Sequence, residues 1–193
     1  MISNLAWIFF STLLINNFTL AMFLGLCSFF GVTTKMDTGW RLGAANTFVL
    51  VMTAVAVWVL NTFVLAQAPY LRTIAFIVVI ASLVQVVEMA IKKFLPVLFR
   101  ELGIYLPLIT TNCAILYLAL TQTTRKYNLI EGIVYAIGGG LGLTLALTLM
   151  ASIRERLDVA DVPAMARRMG LVLIIAACMS MAFMGFAGMG ATG

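Results

Sequence analysis

The chain has 193 residues, 63% hydrophobic and 10% charged, with a mean hydropathy of +1.11, so its solvent is a bilayer and not water. Its net charge of +5 does not point to nucleic acid, because the basic residues sit between apolar segments, where they report membrane orientation. Histidine is absent, which removes the commonest proton shuttle, zinc ligand and haem ligand.

Apolar segments run over residues 5–30, 42–65, 74–91, 102–120, 130–153 and 171–189. A span needs ~20 apolar residues, so six transmembrane helices account for almost the whole chain as one membrane domain, residues 1–193. The connections are short, and none has the Gly/Ser or Pro composition of a linker. The first segment is too long and too apolar for a cleavable signal peptide and is expected to stay.

As a straight helix the first segment would be about 39 Å long, against ~30 Å of hydrocarbon. A break near Asn16-Asn17 or Gly25 would let Cys27 fold back towards the centre of the bilayer; a plain tilted helix with Cys27 on the cytoplasmic side is the alternative. In the second segment Asn46, Thr47 and Asn61, and in the third Gln85, offer hydrogen bonds between helices. Glu88 is the one acidic residue well inside an apolar run. Intramembrane carboxylates are functional candidates by default, but Lys92 lies four residues on and a helix-surface ion pair accounts for both. In the fourth segment Pro107 removes a helix hydrogen bond, and Thr110, Thr111 and Asn112 precede Cys113 and can satisfy the freed backbone. The fifth holds Gly138-Gly139-Gly140 and Gly142. This is no nucleotide loop, since the Lys-Ser/Thr of a P-loop is missing; small residues here let helices approach closely. Arg154-Glu155-Arg156 with Asp158 and Asp161 reads as a solvated cytoplasmic loop. Cys178 on the sixth segment reads as a small buried hydrophobe.

Lys35, Arg41, Lys92, Lys93, Arg100, Arg154, Arg156, Arg167 and Arg168 fall on one side of the membrane, and Arg72, Arg125 and Lys126 on the other. Nine against three puts the first group in the cytoplasm and both termini in the periplasm. Each half, about 1–95 and 96–193, runs through a Cys-bearing segment, a basic connection, a Gly/Ala-rich span, a Pro-containing connection (Pro69, Pro163) and a third span. Three spans per half is an odd number, so the second half enters from the opposite face. The expected fold is an all-α membrane protein of six helices, an inverted 3+3 repeat with interrupted first and fourth helices, a plan that places functional sites near the midplane.

Three cysteines are an odd count without the spacing of a disulfide scaffold. Cys27 and Cys113 take matching places in the two halves, and deprotonated thiols are soft ligands for iron. Two thiolates do not complete an iron–sulfur cluster, which needs four ligands, so a bound cluster requires two more from a partner.

Several stretches resemble one family. They are Asn16-Asn17-Phe18, Phe23-Leu24-Gly25-Leu26-Cys27, Leu106-Pro107-Leu108-Ile109-Thr110-Thr111-Asn112-Cys113-Ala114, Ile153-Arg154-Glu155-Arg156-Leu157 with Asp161-Val162-Pro163, and Ala182-Phe183-Met184-Gly185-Phe186. Together they are similar to the membrane proteins of the Rnf complex, the A-type branch in particular. Its paralogues are the E-type Rnf protein and the D- and E-type proteins of the Na⁺-pumping NADH:quinone reductase. The likeness covers nearly the whole chain, and only the Gly/Met-rich stretch 185–193 departs from it. The resemblance implies pairing with a homologous E-like protein of opposite orientation, with the four motif cysteines holding one 2Fe–2S cluster between them. In this chain those positions are Cys27 and Cys113, the iron ligands, and no catalytic residue is implied. It further implies an inner-membrane ferredoxin:NAD⁺ oxidoreductase, the Rnf complex, with B-, C-, D- and G-type members, coupled to Na⁺ or H⁺ transport. Ferredoxin and NAD(H) would be reached only through that complex. The competing class is a small inverted-repeat secondary transporter without a redox centre, which iron content separates from the first.

Overall fold

In lipid the backbone has no water to bond with, so long runs of Leu, Ile, Val, Ala and Met form helices that satisfy their own polar groups. A computed structural model describes residues 2–15, 17–27, 36–63, 72–94, 112–159 and 169–187. Among these residues the regular structure is helical. Helix α1 (Ile2–Phe10) continues into a π-helical segment (Ser11–Ile15) and is followed by α2 (Met36–Phe63) and α3 (Arg72–Phe94). Then come α4 (Cys113–Thr124), α5 (Leu129–Val159) and α6 (Met169–Ala187). Each of the six apolar segments read from the sequence contributes one of these α-helices.

Among the described residues two helices are long and apolar enough to cross a membrane, α2 over Met36–Thr62 and α5 over Leu129–Leu157, each with mean hydropathy 1.9. The other apolar helices are shorter, over Leu5–Ile15, Thr73–Val87, Cys113–Thr124 and Gly170–Gly185. Six full spans are therefore not what the described residues contain. For the first segment the reason is local: the helix gives way to a π-helical turn and then, from Asn17, to non-helical backbone. In the fourth, the described helix begins only at Cys113, and Pro107, Thr110 and Thr111 lie outside the described residues.

Helices α2 and α5 form the most extensive helix pair and run antiparallel, Gly43 meeting Thr144 while Gly140 meets Thr47. A Cβ on Gly43 would lie 2.5 Å from Thr144 Cγ2, and one on Gly140 2.7 Å from Thr47 Cγ2. The absence of side chains at these two positions is what lets the backbones approach, and van der Waals packing is the main attraction between helices in lipid. Leu42, Leu50, Leu143, Leu147 and Met150 are buried along the pair.

The first segment docks on α5 through its glycine run. Gly138 faces the Phe9 carbonyl and Thr12, and Gly142 faces the Leu13 carbonyl. Helix α4 lies parallel to α2: Asn112 reaches Asn46, and ten residues later Gln122 Nε2 donates to the Ala54 carbonyl at 3.1 Å. A tight connection turns α4 into the antiparallel α5. The Tyr127 amide donates to the Gln122 carbonyl (3.1 Å), Lys126 takes φ 52°, and Glu131 accepts from the Asn128 amide (3.1 Å), half of a capping box. Helix α3 packs on α4 and α2, and α6 on the π-helical segment and α5.

Arg154, Glu155 and Arg156 are on the last turns of α5, not in a loop as the sequence suggested. All three are good helix formers and no Gly or Pro intervenes before Pro163, so charge alone does not end the helix. Glu155 and Arg156 are exposed.

Candidate functional site

The interruption of the first segment lies at mid-height of the longest helix. Asn17, fully buried, donates from Nδ2 to the Gly142 carbonyl at 2.7 Å, and Gly142 is within two residues of the middle of α5. The same side chain organises the turn that follows. Its Oδ1 accepts from the Thr19 amide (3.2 Å), while its backbone carbonyl accepts from Ala21 (2.9 Å). The Leu24 amide donates to the Phe18 carbonyl (2.9 Å), and Ser180 Oγ on α6 donates to the Leu20 carbonyl (2.8 Å). Phe18 fills the inside of the turn, over Gly139 and edge-on to Tyr117, with ring centroids 5.4 Å apart. Non-helical backbone inside a membrane protein persists only where such partners satisfy it.

The turn ends with two residues of positive φ, Phe23 (55°) and Gly25 (78°). Glycine adopts this conformation at no steric cost, whereas a bulky side chain there is an outlier that its surroundings must hold. The consequence reaches the second cysteine. The Gly25 amide donates to Cys113 Sγ at 3.0 Å. Cys27, two residues further on, has its Cα within about 7 Å of that of Gly25, by chain length alone. The two cysteine segments, 86 residues apart in sequence, are therefore side by side, and both thiols are exposed on this chain.

Cys113 is the first residue of α4, and Asn112 caps it. Asn112 Oδ1 accepts from the Ala114 amide (3.1 Å), which leaves Nδ2 to donate to Asn46 Oδ1 on α2 (3.3 Å). Capping fixes the orientation of the Asn112 amide, and Asn112 fixes that of Asn46. Asn46 Nδ2, fully buried, then has no hydrogen-bond partner among the described residues. The sequence marked Asn112 as a backbone partner near an interrupted helix. The Gly25 amide and Asn46 were not expected at the cysteines, and no periodicity announces either. Cys178 is exposed on α6, not buried as the sequence suggested, and joins neither cysteine segment through any described hydrogen bond. Glu88 is on α3, and its side chain lies outside the described residues.

The described residues bring together no group of three or more Cys, Asp or Glu. What they offer is two accessible thiols, one of them already receiving a backbone N–H, the contact that offsets negative charge on a metal-bound sulfur. That donor set fits two ligand positions of a thiolate-held iron–sulfur cluster and leaves two for another chain.

Fold and site together define a helical integral membrane protein with an interrupted helix and a cysteine pair near mid-height. The chain belongs to the Rnf-Nqr family, described as "Rnf-Nqr subunit, membrane protein", whose model matches residues 5–190. Its relatives include proteins named as the A-type member of an ion-translocating oxidoreductase complex. One, from Yersinia pestis (strain Pestoides F), is 50% identical over 184 residues, 94% of this chain and 95% of the relative. Another, from Syntrophotalea carbinolica, is 50% identical over 188 residues, 96% and 97% of the two chains. A third, from Shigella flexneri serotype 5b, is 48% identical over 184 residues, again 94% and 95%.

Proposed function

We propose that this chain is the A-type membrane component of an ion-translocating ferredoxin:NAD⁺ oxidoreductase, and that Cys27 and Cys113 supply two of the four ligands of a 2Fe–2S cluster. The other two come from a homologous E-like protein of opposite orientation. The observation that carries the reading is the 3.0 Å bond from the Gly25 amide to Cys113 Sγ, which joins the two cysteine segments. The relatives' name supplies the redox-driven ion translocation, and the further members of the Rnf complex are its partners.

When bound, such a cluster takes up and gives back one electron. The chain's own part is to hold the ligands. Asn17 anchors the turn that carries Gly25, Asn112 caps the helix that begins with Cys113, and Gly25 donates to the sulfur. Without iron, a pair of thiolates would be unpaired charges away from water, at a cost of several kcal/mol each. The thiols therefore become iron ligands only on assembly with the partner. An inverted 3+3 repeat with both termini periplasmic fits this site. Its support is the antiparallel crossing of α2 and α5, at which Gly43 and Thr47 take the places that Gly140 and Thr144 take on the other helix. Na⁺ or H⁺ is the translocated ion.

The test is iron content and the electron paramagnetic resonance spectrum after reduction. Expressed alone, the chain should hold almost no iron; with its E-like partner, one cluster per pair. Cys27→Ser and Cys113→Ser should each remove the cluster and stop electron transfer, and Cys178→Ser should do neither. A cluster in the lone protein, or one that survives either of the first two substitutions, overturns the assignment. A complex free of iron returns the chain to the transporter class.

A further inference from the structure

We propose that the outer face of the α2–α5 pair binds one zwitterionic phospholipid of the phosphatidylethanolamine type. Its acyl chain lies in a groove beside Trp40 and Phe48, and its headgroup lies at Glu155 and Arg156. The groove follows from residue size. Trp40, Ala44 and Phe48 succeed one another on one stripe of α2 and all are exposed, so two large rings flank a methyl group. With Thr47, Val51, Leu141 and Thr144 they line an open groove of about 400 Å³. Its two hydroxyls need nothing from outside, since Thr47 donates to the Gly43 carbonyl and Thr144 to that of Gly140, both at 2.8 Å. What the groove offers is apolar surface. From Trp40 to Val51 it rises about 16 Å, close to one leaflet, half of the ~30 Å hydrocarbon core.

The polar end sets this groove apart from lipid-coated surface in general. Met36, Ser152, Glu155 and Arg156 line a second cavity of about 680 Å³. Met36 is one turn before Trp40, and Ser152 and Glu155 are about three and four turns beyond Leu141, so the cavity continues the groove along the same side of both helices. Trp40, 61% exposed, stands between the two, as an aromatic residue does at headgroup level. Glu155 and Arg156 are exposed, and neither pairs with a described residue. Ser152 Oγ donates to the Leu149 carbonyl (2.8 Å) and keeps its lone pairs. One cation, one anion and one further acceptor are the complement of a phosphate followed by a primary ammonium. Arg156 takes the phosphate, and the ammonium donates to Glu155 and Ser152. A wholly anionic headgroup would set like charge against Glu155. A transmembrane helix is apolar across both leaflets, whereas this groove is apolar along one and charged at its end. The site rests on α2 and α5 alone and does not depend on the cluster.

The assembled complex, in vesicles of equal parts phosphatidylethanolamine and phosphatidylglycerol, tests it. A benzoyl-phenylalanine replaces Phe48, and its photo-adducts are identified by mass spectrometry. They should be enriched in phosphatidylethanolamine by roughly two- to fivefold, the scale of an exposed charge pair. The reference is the same probe at Ile77 on α3, 50% exposed and away from the groove. Glu155→Gln should abolish the enrichment; the side chain is exposed, so the change leaves the fold intact. A lipid composition at Phe48 equal to that at Ile77, or an enrichment that survives Glu155→Gln, overturns the proposal. Adducts at Phe48 with another membrane protein of the complex overturn it too, by making protein the occupant.

Discussion

Thr47 and Thr144 face each other where α2 and α5 cross, their hydroxyl oxygens 3.4 Å apart. Each donates to a glycine carbonyl four residues back on its own helix, Thr47 to Gly43 and Thr144 to Gly140, both at 2.8 Å. Each also fills the space over the other helix's glycine. Exchanging the two helices reproduces the contact, so the crossing of α2 and α5 is locally two-fold symmetric.

The crossing makes a paired prediction. In Gly43→Ala and Gly140→Ala the new methyl meets a β-branched threonine whose χ1 is stiff in a helix. Each should lower stability by about 1–3 kcal/mol, the usual cost of overpacking, and the two effects should be similar. Chemical or thermal unfolding in detergent measures this. One glycine tolerating alanine while the other does not would break the equivalence of the two helices.

The polar relay beneath Cys113 has an ordering of its own. Asn112→Ala removes the cap of α4 and leaves Asn46 Oδ1 without its donor; the expected loss is about 1–3 kcal/mol. Asn112→Ser keeps a capping oxygen and loses only the reach to Asn46, so it should cost less. Because Asn46 and Asn112 share one hydrogen bond, the double alanine variant should be less destabilised than the sum of the singles. Strict additivity in unfolding measurements would mean that the bond carries no energy.

Gly25→Ala acts on the sulfur. At φ 78° an added Cβ costs about 1–2 kcal/mol, and relaxation of the backbone draws the amide away from Cys113. An N–H on a ligand sulfur favours the reduced, more negative cluster. With Cys113 as a ligand of the proposed cluster, loss of that N–H should therefore shift the midpoint potential downward in a redox titration of the assembled complex. An unchanged potential in a fully loaded variant would show that the amide does not act on the cluster.

Orientation is checked from outside. With nine basic residues against three, alkaline phosphatase fused after Gly193 should be active and a green fluorescent protein at the same place dark. The opposite pair of results reverses the topology.

The sequence by itself determined the solvent, the helical class and the approximate place of the described helices. These follow from local sums of hydropathy that neighbouring residues settle among themselves. It also favoured an interruption near Asn16-Asn17 or Gly25 over a plain tilted helix, because a 26-residue apolar segment exceeds one bilayer, and it singled out Cys27 and Cys113. Charge misled it at Arg154-Glu155-Arg156, where helix propensity carries α5 onward to Val159. Only the tertiary structure decided that the Gly25 amide bonds to Cys113, that Asn46 holds Asn112, and that Thr47 opposes Thr144. Such contacts join residues 66 to 97 positions apart. They depend on the register and direction in which helices pack, set by where glycine lets two backbones approach, and no local property of the chain encodes that distance.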